Sequence, residues 1–222
     1  MADSKTHWLS LRGNLPKFDV HLGRATGQGY VADPRMIAFV SARYKFCAKL
    51  LEGRKAVAEI GCGDAFGAPI VAQGVSTLLC TDIDHEMLKD DRIRCAIFKN
   101  IQFEYHDFRE GPLTAPVDGI YSVDVLEHIY PQEEPLFLSN IAKSLGDHAV
   151  AIFGTPNKAA EQYASPNSQI GHVNLKTGDE LRNLAQQHFE VVFMFGMNDE
   201  VVHTGYLPMA HYLWAVCVGP RR

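Results

Sequence analysis

The chain has 222 residues and lacks several features that would decide its class at once. No block of five like charges occurs, and the 21 Lys and Arg fall short of the 26 Asp and Glu, leaving a formal charge of -5. Strong nonspecific attraction to nucleic acid or to an anionic membrane is therefore disfavoured. No run approaches the roughly 18 uninterrupted apolar residues of a membrane helix. The opening MADSKTHWLSLRGNLPK also lacks an apolar leader core, so the expected protein is cytoplasmic, without a membrane span. The five cysteines, Cys47, Cys62, Cys80, Cys95 and Cys217, are odd in number, form no CxxC pair and mostly sit in apolar runs. That pattern reads as reduced core thiols, not a disulfide framework or a zinc site. HxH and HExxH patterns are missing too, so no metal is expected. Without repeats, low-complexity tracts or a linker after residue 33, the chain reads as one large domain with an appendage.

The remaining composition, 46% hydrophobic and 21% charged, is that of an ordinary globular chain with a substantial core. Residues 1–32 mix Trp8, Phe18, His21, Arg24 and Tyr30 with Gly13, Gly23, Gly27 and Gly29, which suits an aperiodic arm better than a helix. From Asp33, a candidate cap, and Pro34, apolar residues recur at helical spacing from Met36 to Leu51 until Gly53. Beyond it, short apolar runs alternate with helical segments: AVAEI, APIVAQ, TLLCTDI, HEMLKDDRIR, IQFEYHD, DGIYSVDVL, PLFLSNIAKSL and AVAIFGT. A further helix starts at the capping box formed by Thr177 and Glu180. This repetition predicts an α/β fold, a Rossmann-like, mostly parallel sheet with helices on both faces. FEVVFMFGM and HYLWAVCVG are both strand-like, yet no helical stripe joins them. A parallel return normally needs a crossover helix, so the last of seven strands is expected to be antiparallel.

AVAEIGCGDAFG puts Glu59 at the end of the first strand and Gly61, Gly63 and Gly67 in the turn that follows. Glycines there let the backbone approach a ligand that a Cβ would exclude. The next strand ends in Asp82, 21 residues beyond Gly61 and close to the spacing at which an acid reaches a ribose hydroxyl. Asp84, just before HEMLKDD, reads as a helix cap instead. The dinucleotide fingerprint is GxGxxG, and GCGDAFG carries its third glycine one place late. With Glu59 beside the loop, a diphosphate is less suited to this turn than a ligand bearing an ammonium.

AEIGCGDAFG, CTDID, HDF, SVDVLEHI, FGTPN and HYLWAVCVG, in that order, resemble the class I S-adenosylmethionine-dependent methyltransferases over about residues 53–218. Within them the chain looks most like the small-molecule O-methyltransferase branch. The resemblance implies S-adenosyl-L-methionine as cofactor; the chain then divides into a methyltransferase domain over 33–222 and, outside the resemblance, the aromatic and histidine-bearing segment 1–32 as an arm or lid. The resemblance also implies that Glu59, Gly61 and Gly63 hold the methionine end, that Asp82 with Ile83 binds the ribose, and that Asp107 with Phe108 flanks the adenine. Val123 and Asp124 are then expected to contact the methionine part.

Transfer of an activated methyl needs alignment, exclusion of water and, for a hydroxyl acceptor, removal of a proton. A histidine near neutral pKa is the usual base. Of the ten histidines, His172 and His128 fall where the resemblance puts the acceptor; each could also be a structural histidine. Glu127 could orient His128, contact the methionine moiety or sit at a helix start. His203, Tyr206, His211 and Tyr212 surround the final hairpin, which could wall the acceptor pocket. The expected activity is O-methylation of a small acceptor, a saccharide or phenol-like compound, with no nucleic-acid partner. The alternatives are N-methylation of a small molecule or protein, and a noncatalytic cofactor-binding subunit. A nicotinamide-dependent oxidoreductase is disfavoured, because no YxxxK follows the glycine loop.

Overall fold

The computed structural model describes residues 3–16 and 18–221; residues 1, 2 and 17 of the expected arm lie outside the described residues. The chain runs α1 (Ser4–Arg12), α2 (Arg24–Ala32), α3 (Met36–Leu51), β1 (Ala56–Ile60), α4 (Ala68–Ala72), β2 (Thr77–Asp82), α5 (His85–Arg94) and β3 (Ile101–Tyr105). It continues through β4 (Val117–Val123), α6 (Glu134–Lys143), β5 (Leu145–Pro156), α7 (Pro166–Gly171), α8 (Gly178–His188), β6 (Phe189–Asn198), β7 (Val201–His203) and β8 (Tyr212–Pro220).

One sheet has the order β3-β2-β1-β4-β5-β8-β6-β7. Strands β1 to β5 pair in parallel, β8 lies antiparallel between β5 and β6, and β7 pairs antiparallel with β6. The expected antiparallel final strand is therefore present. The sheet has eight strands where the sequence predicts seven, because Val201–His203 forms a short edge strand. Three residues after Asn198 are too few to show an alternating pattern in sequence.

Alternation along the strands divides the core between the two faces. Val57, Leu78, Tyr121, Ile152 and Trp214 meet Tyr44, Cys47 and Leu51 of α3, Val71 of α4 and Leu88 of α5. On the opposite face Ile60, Ile120, Phe153 and Leu213 meet Phe137, Leu138 and Ile141 of α6 and Leu181 of α8. All five cysteines are free and buried. No helix among the described residues is long and apolar enough to cross a membrane.

Local signals place the helix starts. Asp84 caps α5 by accepting from the backbone N–H groups of Glu86 and Met87, and Thr177 with Glu180 closes the capping box of α8. Asp33 differs from expectation: it ends α2 and holds Arg35, and α3 begins at Met36. The arm also differs, since α1 and α2 are helical where an aperiodic segment is expected. Neither helix buries a residue, so neither carries an apolar stripe that would reveal it in sequence.

Candidate active site

Two backbone turns at the carboxyl ends of β1 and β4 set up the site. Gly61 and Gly63 adopt φ of +66° and +54°, the left-handed region that a side chain disfavours. A Cβ on Gly61 would come within 2.5 Å of Val125 Cγ2, so the β1 turn and the segment after β4 touch there. Gly63 is open: nothing lies within 4 Å of where its Cβ would be. Asp82 ties this loop to β2, with one carboxylate oxygen accepting from Gly63 N at 2.9 Å and the other from Asp84 N at 2.9 Å. A carboxylate has about four acceptor positions, so Asp82 keeps capacity for further donors. Ile83 beside it is exposed.

Asp64, next in the loop, is where the arm docks. Its carboxylate accepts from Thr26 N at 2.7 Å and Thr26 Oγ1 at 2.9 Å, at the start of α2. Gly23 permits that contact, because a Cβ there would lie 2.3 Å from the Asp64 Cβ.

Glu59 sits differently from the sequence expectation. On β1 it shares a face with Val57, so its carboxylate enters the core, 1% exposed, and accepts from Tyr121 Oη at 2.8 Å. Burial raises its pKa to about 7, opposed by bonds from tyrosine and Cys80. Its carboxylate partners are thus Tyr121 and Cys80 on the neighbouring strands, inside the core. Phe108 is likewise interior, 2% exposed and edge-on to Phe137. Asp107 is held by a fork from Arg109, whose Nε and Nη2 donate at 2.9 and 2.7 Å; that bonding lowers its pKa. Val123 is buried at the end of β4.

Asp124 follows it with φ +57°, a strained value for a non-glycine residue. It stands on the wall of a cavity of about 600 Å³ together with Glu127, His128, His172, Tyr163, His211 and Tyr212. Arg43 of α3, absent from the sequence-derived candidates, donates to Asp124 Oδ2 at 2.6 Å and lies 4.0 Å above the Tyr212 ring. Its signal was a cation within the Met36–Leu51 apolar stripe. Among the other expected hairpin residues, His203 bonds Asn198 at 2.8 Å and does not line this cavity, and Tyr206 is exposed outside it.

Glu127 and His128 share a short helical turn after β4, and His172 follows α7. Glu127 is fully buried; Oε2 accepts from Thr155 Oγ1 at 3.0 Å and Oε1 has no hydrogen-bond partner. Burial, then the charge of Asp124, holds its proton well above the ordinary carboxylate range. His128 Nδ1 lies 2.8 Å from the Gly171 carbonyl, which can only accept, so Nδ1 carries a proton and Nε2 is left free of that bond. The His128 and His172 rings are 5.4 Å apart. Burial, then the charge of His128, lowers the pKa of His172. The two histidines expected near an acceptor thus share one wall of one cavity.

A family model described as a methyltransferase domain matches residues 33–192. A probable S-adenosylmethionine-dependent methyltransferase of Mycolicibacterium smegmatis is 28% identical over 103 residues, 46% of this chain and 38% of the relative. A similarly described Mycobacterium tuberculosis protein, Rv3030, is 27% identical over 103 residues, covering 46% and 36%. The chain thus spans well under half the length of these curated relatives. Among solved structures, the N-methyltransferase NodS of Bradyrhizobium japonicum superposes with a TM-score of 0.64 at 17% identity, covering 85% of this chain and 98% of NodS. The methyltransferase domain of bacterial CtHen1 gives 0.68 at 15% identity, covering 82% and 100%; a DhpI–SAM–HEP complex gives 0.62 at 17%, covering 87% and 92%. These likenesses are of fold.

Proposed function

The chain belongs to the class I S-adenosylmethionine-dependent methyltransferase family, and from that premise we propose that it methylates a hydroxyl of a small sugar or phenol-like acceptor. One arrangement carries the reading. The left-handed Gly61–Gly63 turn, held by Asp82, touches Val125, and the neighbouring Asp124 opens onto a cavity of about 600 Å³ with histidines on its wall. That volume suits a small ligand.

S-adenosyl-L-methionine supplies, when bound, a methyl already activated on a sulfonium. The protein's own residues do the rest. Gly61 and Gly63 give the backbone close approach, Asp82 and Ile83 receive the ribose, and Asp107 fixes the adenine end. Phe108 and Glu59 support these segments from inside the core, while Val123 and Asp124 lead to the methionine end. The wall bearing Glu127, His128 and His172 faces the acceptor and lowers the cost of removing its proton. The arm acts as a lid, seated on the glycine loop through Thr26 and Asp64.

Isothermal titration with S-adenosyl-L-methionine and, separately, NADH tests the cofactor, and a panel of hydroxyl acceptors with labelled methyl donor tests the chemistry. Saturable binding of the methyl donor, weakened in Asp82→Ala, together with label on a hydroxyl acceptor is expected. Binding of NADH alone would refute the reading; label found only on amines would move the activity to nitrogen.

A further inference from the structure

Glu127, His128 and His172 each offer a ligand atom, and these atoms lie within 4.8 Å of one another. We propose that this triad binds a divalent first-row transition cation, which in turn holds and acidifies the acceptor hydroxyl. Nothing in the spacing announces it, since His172 stands far along the chain from the Glu127–His128 pair and only the fold joins them.

Polar atoms without partners carry the argument. Glu127 Oε1, His172 Nδ1 and Asp124 Oδ1 are all buried without a hydrogen bond, and their residues line the same cavity. Burying such atoms unpaired is costly, and natural proteins rarely leave them so. A proton on Glu127 satisfies only one of them. Arg43 is already committed to the other oxygen of Asp124 and stacked on Tyr212. A cation held by Glu127, His128 and His172 can take lone pairs from the Glu127 carboxylate and both imidazoles at once, and its positive charge faces Asp124 on the same wall.

The surrounding bonds prepare the ligands. His128 donates Nδ1–H to the Gly171 carbonyl, which fixes the ring and directs a lone pair from Nε2, the arrangement metal-bound imidazoles adopt. Thr155 holds the Glu127 carboxylate, and the Glu127 carbonyl accepts from Val173 N and Asn174 N just past His172, drawing both halves of the triad together. Two imidazoles and a carboxylate suit manganese, iron, cobalt, nickel or zinc better than calcium or magnesium. Three protein ligands leave coordination positions open, as catalytic metal sites do.

The role of the cation, unlike its binding, rests on the methyl-transfer reading. An acceptor hydroxyl ligated there gives its proton to water as the O–H bond breaks. Its oxygen keeps the electron pair that forms the new C–O bond, and the pair of the breaking C–S bond returns to sulfur.

The full chain, stripped with a chelator and titrated with cobalt(II) alone, tests the site through visible ligand-field absorption and calorimetry. One equivalent is expected, with affinity reduced at least about tenfold in both His172→Ala and His128→Ala. His211→Ala, altered on the same cavity but outside the triad, should bind cobalt normally. Failure of the wild-type chain to bind a saturable equivalent, or undiminished binding by both triad variants, overturns the proposal. S-adenosyl-L-methionine titrated into the metal-free chain separates the two readings. Cofactor binding without a cobalt site removes the metal alone; a cobalt site without cofactor binding removes the methyl-transfer reading.

Discussion

Glu59→Gln gives the strongest test of the buried support beneath the glycine loop. The wild-type carboxyl is 1% exposed and its pKa is raised from 4.5 to about 7. Between those values the folded protein keeps a proton that the unfolded chain releases, so stability falls as pH rises through this window. At about 1.4 kcal/mol per pH unit, the loss amounts to roughly 3 kcal/mol once ionisation is complete in both states. Glutamine has no such proton. Its oxygen can still accept from Tyr121, but an amide nitrogen at the Oε1 position meets no acceptor, costing about 1–3 kcal/mol at every pH. The variant should therefore be the weaker protein near pH 5, then gain on the wild type by roughly 2–3 kcal/mol on going to about pH 8. Asp91, also raised, to about 6, is present in both proteins and largely cancels in the difference. Urea unfolding followed by circular dichroism at stepped pH measures that difference. A gap between variant and wild type that stays constant from pH 5 to 8 would refute the buried, proton-holding role of Glu59.

Three further perturbations address other parts of the framework. Gly61→Ala combines positive φ with a contact of 2.5 Å to Val125 and should lower stability by about 2 kcal/mol or more; Val125→Ala in the same chain should recover the steric part only, read from urea midpoints. Asp64→Ala removes both bonds to Thr26, and trypsin cleavage after Arg24 should accelerate about tenfold; an unchanged rate would mean the arm is held elsewhere. Asn157→Asp replaces donors to the Leu207 and Ala210 carbonyls, at 3.0 and 2.8 Å, with a buried carboxylate facing them, and should cost about 3 kcal/mol in the same unfolding assay.

The framework was legible wherever a short-range rule governs it. Asp84 and the Thr177–Glu180 pair announced their helices through local hydrogen bonding, and Gly61 and Gly63 announced a turn open to close backbone approach through their missing Cβ atoms. The antiparallel final strand followed from the missing crossover helix. What stayed hidden depends on tertiary contact. The arm helices lack a buried stripe, and α2 is seated by a threonine reaching an aspartate across the glycine loop. Arg43 became a site residue only when α3 brought it against Asp124. Glu59 is instructive, because strand alternation places it on the face of Val57, inside the core, although it lies next to the loop in sequence. The histidine pair was expected near an acceptor, whereas its meeting with Glu127 required α7 to return beside the turn after β4.

The position of β8 has a consequence for synthesis. Residues 189–203 emerge from the ribosome before their partner exists, because β6 reaches the rest of the sheet only through β8. Until residues 212–220 appear, β5 also presents an open edge. The nascent chain therefore carries two unsatisfied strand borders at once, an invitation to pairing with other chains that helpers shielding β6, or rapid translation of the last segment, would suppress.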